Sequence, residues 1–321
     1  MKSRRPSGRQ FVLSGCCFFF FFFFFGLLCI LTSINEVLLQ SLYNFGRLPF
    51  PALSANAKWS IDSHIIENSS SNDTRILLGV LTLPNKYERR QLLRLAYGTQ
   101  SVAGAKIDVK FVFCNVTKDD ERFTVALEIM RYDDIIILNC TESMNEGKTY
   151  TYFSSLPEML NGSDRSDPPY HYVVKADDDT YFRFQALVDS LANLPREDLY
   201  YGFVIPCESM DPFKHYMAGM GYLVSWDIVE WVRSSDIPKQ TLKGPEDKVF
   251  GQWLRDGRRG QNRYNAKWSM YNYPSAKADE KCSHELWPGT IAVHLLKTRE
   301  MWIDTLSFFN VTQNLKTSKL Y

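Results

Sequence analysis

The sequence predicts an α/β fold in which a mostly parallel sheet, flanked by helices, is preceded by an N-terminal transmembrane helix. Three observations predict this arrangement. Apolar runs alternate with segments of helical spacing between residues 75 and 179, the order expected when helices connect parallel strands. A long uncharged apolar segment lies near the N-terminus, and three aspartates end the fourth apolar run.

The first element is the apolar segment 11–31, which contains eight consecutive phenylalanines from Phe18 to Phe25. As a helix it would measure about 32 Å, enough to cross a bilayer core of about 30 Å. Residues 1–10 carry four basic side chains and no acid, so we expect this tail to be cytoplasmic and the rest of the chain lumenal. A cleaved signal peptide is the alternative, but the run is longer than the usual apolar region and no small-x-small site follows it. A soluble protein with a buried helix is a weaker reading, because polyphenylalanine has no polar face.

Residues 32–74 show little periodicity and are rich in Pro, Ser and Asn, which indicates a stem that holds a folded domain away from the membrane. The chain contains six N-glycosylation sequons where roughly two would occur by chance. Asn115 and Asn139 stand beside strand-like runs, so we expect them to be too buried for modification. The sequons begin at Asn68, Asn72, Asn115, Asn139, Asn161 and Asn310.

Regular structure is predicted to begin with a buried strand at 75–83, and 85–100 then has helical spacing. The same alternation continues, and beyond Phe182 the pattern changes to aromatic-rich loops and short strands, with one helix at 244–257. Residues 75–321 are therefore predicted to form one domain. The intervening strands are predicted at 107–116, 133–140 and 171–179, and the helices at 120–132 and 147–160.

Composition argues against nucleic acid as a partner and does not fix the state of the cysteines. With 45% hydrophobic residues, 23% charged residues and a net charge of +1, the chain is globular and has no basic excess for nucleic acid. Four of the seven cysteines lie outside the apolar span. An oxidising lumen permits two disulfides in any of three pairings, and buried free thiols are the alternative. These four are Cys114, Cys140, Cys207 and Cys282.

The acidic triplet Asp177, Asp178 and Asp179 follows the apolar strand residues "YVV" and lies where ligands of α/β sheets bind. Adjacent carboxylates repel one another unless a cation is present. Along an extended chain Asp177 and Asp179 point the same way, which suits a divalent ion held by oxygen ligands. A solvated acidic turn is the usual explanation of such a string, but its position at the end of a buried strand favours the metal site.

Three other places carry candidate residues, each with a structural alternative. Asp247 in "GPEDKVFG" could open a helix, because acids complement its dipole, or could act as a general base. His294 in "TIAVHLLK" could be a core histidine or a metal ligand. Arg90 and Arg94 could be solvated, or could hold phosphate or the acidic cluster.

Five stretches resemble, in order, the family 31 glycosyltransferases, the β-1,3-galactosyl- and N-acetylglucosaminyltransferase group with a GT-A fold. Each stretch alone is weak, but their order and spacing together are specific. They are "ILLGVLTLPNKYERRQLLRLAYG", "DIIILNCTESMNEGKTYTYF", "VVKADDDTYF", "MAGMGYLVS" and "GPEDKVFGQWL".

The resemblance implies a Golgi, type II membrane enzyme whose catalytic domain is lumenal. It implies that Asp177, Asp178 and Asp179 bind Mn²⁺ and the diphosphate of a UDP-sugar, with His294 as a further metal ligand and Asp247 as the base. The reaction implied is inverting transfer of galactose, or of N-acetylglucosamine, to a glycan or glycoprotein acceptor in β-1,3 linkage. A catalytically inactive, membrane-anchored carbohydrate-binding protein of the same fold is the alternative.

Overall fold

The computed structural model describes residues 74–160, 167–274 and 282–311. Within them are ten strands and eight helices. The strands are β1 (Thr74–Leu81), β2 (Ala105–Cys114), β3 (Ile135–Leu138), β4 (Tyr172–Asp177), β5 (Tyr181–Phe182), β6 (Leu199–Ile205), β7 (Tyr216–Ser225), β8 (Asn262–Asn265), β9 (Met270–Asn272) and β10 (Ala292–His294). The helices are α1 (Tyr87–Gly98), α2 (Asp119–Tyr132), α3 (Lys148–Met159), α4 (Phe184–Leu191), α5 (Trp226–Ser234), α6 (Ile237–Gln240), α7 (Glu246–Asp256) and α8 (Arg299–Phe308).

The larger sheet has seven strands in the order β3-β2-β1-β4-β7-β6-β8. The first four are mutually parallel, which confirms the predicted α/β class and mostly parallel sheet. β7 then pairs antiparallel with both β4 and β6, while β6 and β8 are parallel. The antiparallel part lies in the region where the sequence pattern had loosened, so β6 and β7 were not individually predicted.

Helices cover both faces of this sheet, as predicted. On one face, α1, α2, α4 and α8 contribute Leu93, Val125, Leu187 and Trp302 to a core beneath the strands. On the other face, α3, α5 and α7 contribute a second core, including Phe153 and Phe250. Burying the strands on both faces explains their continuous Val, Ile and Leu runs.

A second, three-stranded sheet in the order β5-β10-β9 stands beside the larger one. β10 runs antiparallel to β5, with Val293 opposite Tyr181, and parallel to β9, with His294 opposite Asn272. Since β5 begins two residues after Asp179, this pairing returns the C-terminal part of the chain to the acidic triplet. The carboxyl ends of β1, β2, β3 and β4 all lie at one edge of the larger sheet, where α/β folds bind ligands.

No helix in the described ranges is long and apolar enough to cross a membrane. The predicted anchor at 11–31 and most of the predicted stem at 32–74 lie outside the described residues.

Candidate functional site

The acidic triplet lies at the end of β4, and its three carboxylates have different partners. Asp177 Oδ1 accepts a hydrogen bond from Lys175 Nζ at 2.7 Å. Asp178 turns to the end of β1, where Thr82 Oγ1 donates to its Oδ2 at 2.6 Å. Asp179 is buried and faces the second sheet. Asp177 and Asp179 therefore converge while Asp178 points elsewhere. A turn that starts at Asp177 and is closed by a hydrogen bond from the Thr180 N–H to the Asp177 carbonyl produces this arrangement, and not the alternation of an extended chain.

His294 joins the two converging aspartates from β10. Its Nε2 lies 3.3 Å from Asp179 Oδ1 and 3.8 Å from Asp177 Oδ2. Its Nδ1 lies 2.8 Å from Asn272 Oδ1 on β9. Because an amide oxygen can only accept, a neutral ring donates from Nδ1, which leaves the Nε2 lone pair directed at the carboxylates.

These three side chains fit a divalent metal ion. Asp177, Asp179 and His294 each offer a ligand atom, and those atoms lie within 4.8 Å of one another. Two carboxylates with an imidazole, oriented by a hydrogen bond from its other nitrogen, form a donor set suited to a divalent metal ion. Asp178 is engaged with Thr82, so it belongs to the surroundings of this set.

The surroundings shift the pKa values of Asp178 and Asp179 in opposite directions. Burial alone would raise the pKa of Asp179. In the absence of a metal, the hydrogen bonds and charges of a protonated His294 and of Lys297 outweigh burial and hold that pKa well below its usual range. Lys297, three residues after His294, forms an ion pair with Asp179. Burial raises the pKa of Asp178, and the Thr82 hydroxyl only partly offsets this effect. Asp179 is thus the carboxylate most firmly kept ionised.

A buried lysine connects the triplet to the Glu-Asp pair. Lys175 is fully buried, and its Nζ lies 2.6 Å from Glu246 Oε1 as well as 2.7 Å from Asp177 Oδ1. Burial alone would lower the pKa of Lys175, but Asp177 and Glu246 outweigh it and raise that pKa. Glu246 also accepts hydrogen bonds from Tyr222 and Thr149, at 3.0 and 3.2 Å, so both of its oxygens are engaged.

Asp247 opens α7 beside Glu246 but has a different environment. It is half-buried, and its Oδ2 accepts from the backbone N–H of Gly219 at 3.1 Å while its Oδ1 accepts from the N–H of Lys248 at 2.7 Å. A carboxylate has about four lone-pair positions. Asp247 accepts two hydrogen bonds and Glu246 accepts three, so Asp247 retains more acceptor capacity. Both predicted roles, helix opening and base, remain compatible with this placement.

Arg90 and Arg94 do not hold the triplet, which corrects the prediction. Arg90 is fully buried on α1 and binds Glu128 through Nε at 2.9 Å, while its other nitrogens donate to the carbonyls of Leu83 and Pro84. Arg94 binds both oxygens of Asp134 at 2.8 Å. Arg90 thus connects α1 to α2 and to the loop after β1, whereas Arg94 connects α1 to α2 and to the residue before β3. Neither guanidinium group is directed at the acidic triplet.

Replacing Arg90 with Met should therefore affect folding. We expect a loss of about 3 kcal/mol in the free energy of unfolding, the low end for breaking a buried ion pair, because Arg94 still neutralises Glu128. Denaturant unfolding measures this loss. Lys118→Met removes an exposed ion pair with Glu121 and should leave the midpoint unchanged. A folded Arg90→Met variant with a normal midpoint but weakened UDP binding would restore the phosphate-binding role.

Four residues around the site were missed by sequence reasoning: Thr82, Lys175, Asn272 and Lys297. Lys175 could have been identified from the sequence, because a lysine two positions before Asp177 in a buried strand must lie on the same face as Asp177. The other three come together only through strand pairing and the turn after β10, and no local pattern marks them.

The four cysteines outside the apolar span and three of the six sequons lie within the described residues. Cys114 pairs with Cys140, and Cys207 with Cys282, which selects one of the three pairings. Asn115 and Asn139 are exposed, so the expectation that they are too buried for modification is wrong. They follow the ends of β2 and β3, which are surface positions at the edge of the sheet. Asn310 is exposed as well, and the remaining three sequons lie outside the described residues.

Comparison with known proteins agrees with the resemblance. Residues 88–210 match the Galactosyltransferase family. The chain is 29% identical over 197 residues to beta-1,3-galactosyltransferase 6 of Mus musculus, covering 54% of this chain and 58% of that protein. It is 23% identical over 221 residues to beta-1,3-galactosyltransferase pvg3 of Schizosaccharomyces pombe (strain 972 / ATCC 24843), covering 52% and 58%. It thus spans somewhat more than half of the length of these relatives.

Among solved structures, the galactosyltransferase LgtC in complex with donor and acceptor sugar analogues aligns over 77% of this chain and 98% of that one. The TM-score is 0.39 and the identity 12%, too low to indicate anything about function. The matches in sequence, and not this structural similarity, indicate the family. The matched family, these two relatives and the five ordered sequence stretches together support membership of the chain in the family 31 glycosyltransferases.

Proposed function

We propose that the chain is an inverting, Mn²⁺-dependent transferase of the GT-A type that moves galactose from UDP-galactose to a hydroxyl of a glycan or glycoprotein in β-1,3 linkage. UDP-N-acetylglucosamine is the second candidate donor. The observation that carries the proposal is the meeting of Asp177, Asp179 and His294 within 4.8 Å, connected through Lys175 to the Glu-Asp pair that opens α7. The match to the Galactosyltransferase family supports the donor class.

In this proposal the metal would be held by Asp177, Asp179 and His294. When bound, it would neutralise the charge that grows on the departing diphosphate. Asp179 suits this role because the pKa of its carboxyl is held low, so it stays ionised as a ligand throughout the physiological range.

Asp247 would take the proton of the acceptor hydroxyl. The bond between the acceptor oxygen and the anomeric carbon forms while the bond from that carbon to the diphosphate oxygen breaks. The electron pair of the broken bond leaves with UDP, and the proton goes to a carboxylate oxygen of Asp247. A single displacement inverts the anomeric centre, so an α-linked donor gives a β-linked product. Glu246, whose oxygens are already bonded, would brace the start of α7.

We further propose that the protein is a single-pass type II membrane protein of the Golgi with this domain in the lumen. The basic tail, the apolar segment 11–31, the six sequons and the two disulfides support this topology. Disulfides persist in oxidising compartments, and cytoplasmic positive charge orients the anchor.

One experiment on the full chain tests activity and topology together. Microsomes from expressing cells are treated with external protease, either sealed or opened by detergent, and the protease is then inactivated. All samples are opened with detergent and assayed with UDP-galactose, UDP-N-acetylglucosamine and UDP-glucose against a glycan array, with Mn²⁺ or with EDTA. We expect transfer from one donor with Mn²⁺ alone, and we expect external protease to destroy it only after detergent opens the vesicles.

The outcomes separate the alternatives. Glycan binding without transfer from any donor would identify the inactive carbohydrate-binding protein instead. Transfer that survives EDTA would remove the metal from the proposal, and protease loss in sealed vesicles would overturn the topology.

A further inference from the structure

Lys175 is a buried cation between the two functional parts of the site. Its side chain is fully buried, and its Nζ has three acceptors: Asp177 Oδ1, the carbonyl of Gly219 and Glu246 Oε1, at 2.7, 2.6 and 2.6 Å. An ammonium has three donors, so all are used. Lys175 therefore has no donor left for a substrate or a diphosphate, and its effects act through its partners.

The consequence for Asp177 follows from the geometry of its carboxylate. Oδ1 is held by Lys175, and Oδ2 faces His294 Nε2 at 3.8 Å. The side chain of Asp177 is one-third exposed and stands on the last residue of β4, where it would otherwise rotate into solvent. Fixing one oxygen orients the other toward the ligand position, and such supporting partners strongly affect metal affinity.

Lys175 has a different effect on the acid pair Glu246 and Asp247. The side chain of Glu246 is only 9% exposed, and an unpaired buried carboxylate is costly. Gly219 makes the convergence possible, because a Cβ there would lie 2.8 Å from Glu246 Oε1 and 3.4 Å from Lys175 Nζ. Lys175 thus supplies the counter-charge that permits Glu246 to stand beside Asp247.

We propose that Lys175 is a positioning residue that orients Asp177 as a metal ligand while it neutralises Glu246. The inference rests on the proposed function, because it assigns the metal to the cluster containing Asp177. The Lys175 side chain then has two separable effects. Stability depends on the Lys175–Glu246 pair, and metal affinity depends on the Lys175–Asp177 bond.

Three variants of the full chain separate these effects: Lys175→Met, Glu246→Gln and the double variant. Methionine fills a similar volume without charge. Binding of Mn²⁺ alone is measured by calorimetry, and stability by thermal unfolding. We expect Lys175→Met to unfold at lower temperature and to bind Mn²⁺ about 10–100-fold more weakly, the usual effect of losing a partner of a metal ligand. Glu246→Gln should bind Mn²⁺ as the wild type does.

The double variant is decisive. With both charges removed, it should recover most of the lost melting temperature, yet keep the weak Mn²⁺ binding of Lys175→Met, because Asp177 remains without its anchor. Recovery of Mn²⁺ affinity together with stability would overturn the inference and leave Lys175 a structural residue. Wild-type affinity in Lys175→Met would do the same, whereas a wild-type protein that binds no Mn²⁺ would overturn the metal assignment of the proposed function and this inference with it.

Discussion

Replacing Asp247 with Asn should lower transfer by roughly 10²–10⁴-fold, the usual contribution of a general base. The amide cannot take the acceptor's proton. Affinity for UDP should change little, because the proposed metal ligands, Asp177, Asp179 and His294, lie on other elements. Initial rates at saturating donor and acceptor, with UDP binding measured separately, test the expectation.

The same substitution has a predictable structural cost. Asp247 accepts from the N–H groups of Gly219 and Lys248 with different oxygens, and the amide can replace only one of these acceptors. The loss of one hydrogen bond costs about 0.5–1.5 kcal/mol, which should lower the melting temperature slightly and leave the domain folded.

Glu246→Gln is the matched control, since it makes the same chemical change one residue earlier. Its amide oxygen can still accept from Tyr222 or Lys175, so turnover should fall much less than in Asp247→Asn. Normal turnover by a folded Asp247→Asn protein would remove Asp247 from the mechanism. If that variant instead melts far below the wild type, Asp247 is a helix-opening residue.

The parallel half of the fold could be predicted from sequence because its strands are buried on both faces and read as uninterrupted apolar runs. β6 and β7 could not be predicted in the same way, since glycines weaken the local preference for a strand. Gly221 is required by tertiary packing: a Cβ there would lie 2.5 Å from the ring of Phe182. β8, β9 and β10 contain only three or four residues each, too few for periodicity to show.

The candidate site was predictable where its residues are adjacent in sequence and not where pairing brings them together. The triplet could be found because three carboxylates end an apolar run, although a turn after Asp177, and not strand alternation, separates Asp178 from its neighbours. Arg90 and Arg94 were misplaced because a helical sequence pattern does not reveal which acids the facing elements carry. Their partners, Glu128 and Asp134, come from α2 and the start of β3.

Replacing Asp179 with Asn should abolish detectable transfer and weaken Mn²⁺ binding by about 100-fold or more. Loss of a mere partner of a metal ligand typically costs 10–100-fold, and Asp179 is the buried carboxylate of the proposed ligand set. The variant should also lose its UDP affinity only when Mn²⁺ is present, because in the proposed function the ion would neutralise the diphosphate while held by these carboxylates. Calorimetric titration with Mn²⁺ alone, then with UDP in the presence and absence of Mn²⁺, measures these effects.

Two further variants show whether the metal explains the loss. His294→Ala should act in the same direction but more mildly, since it removes a neutral ligand. Asn272→Ala should weaken Mn²⁺ less again, because it removes only the acceptor that orients the His294 ring. This graded order in Mn²⁺ affinity is expected only if the ion lies between the carboxylates and Nε2. Wild-type activity of Asp179→Asn at low Mn²⁺ would show that Asp179 is not a ligand. Loss of activity in His294→Ala without loss of Mn²⁺ affinity would return His294 to a role in packing.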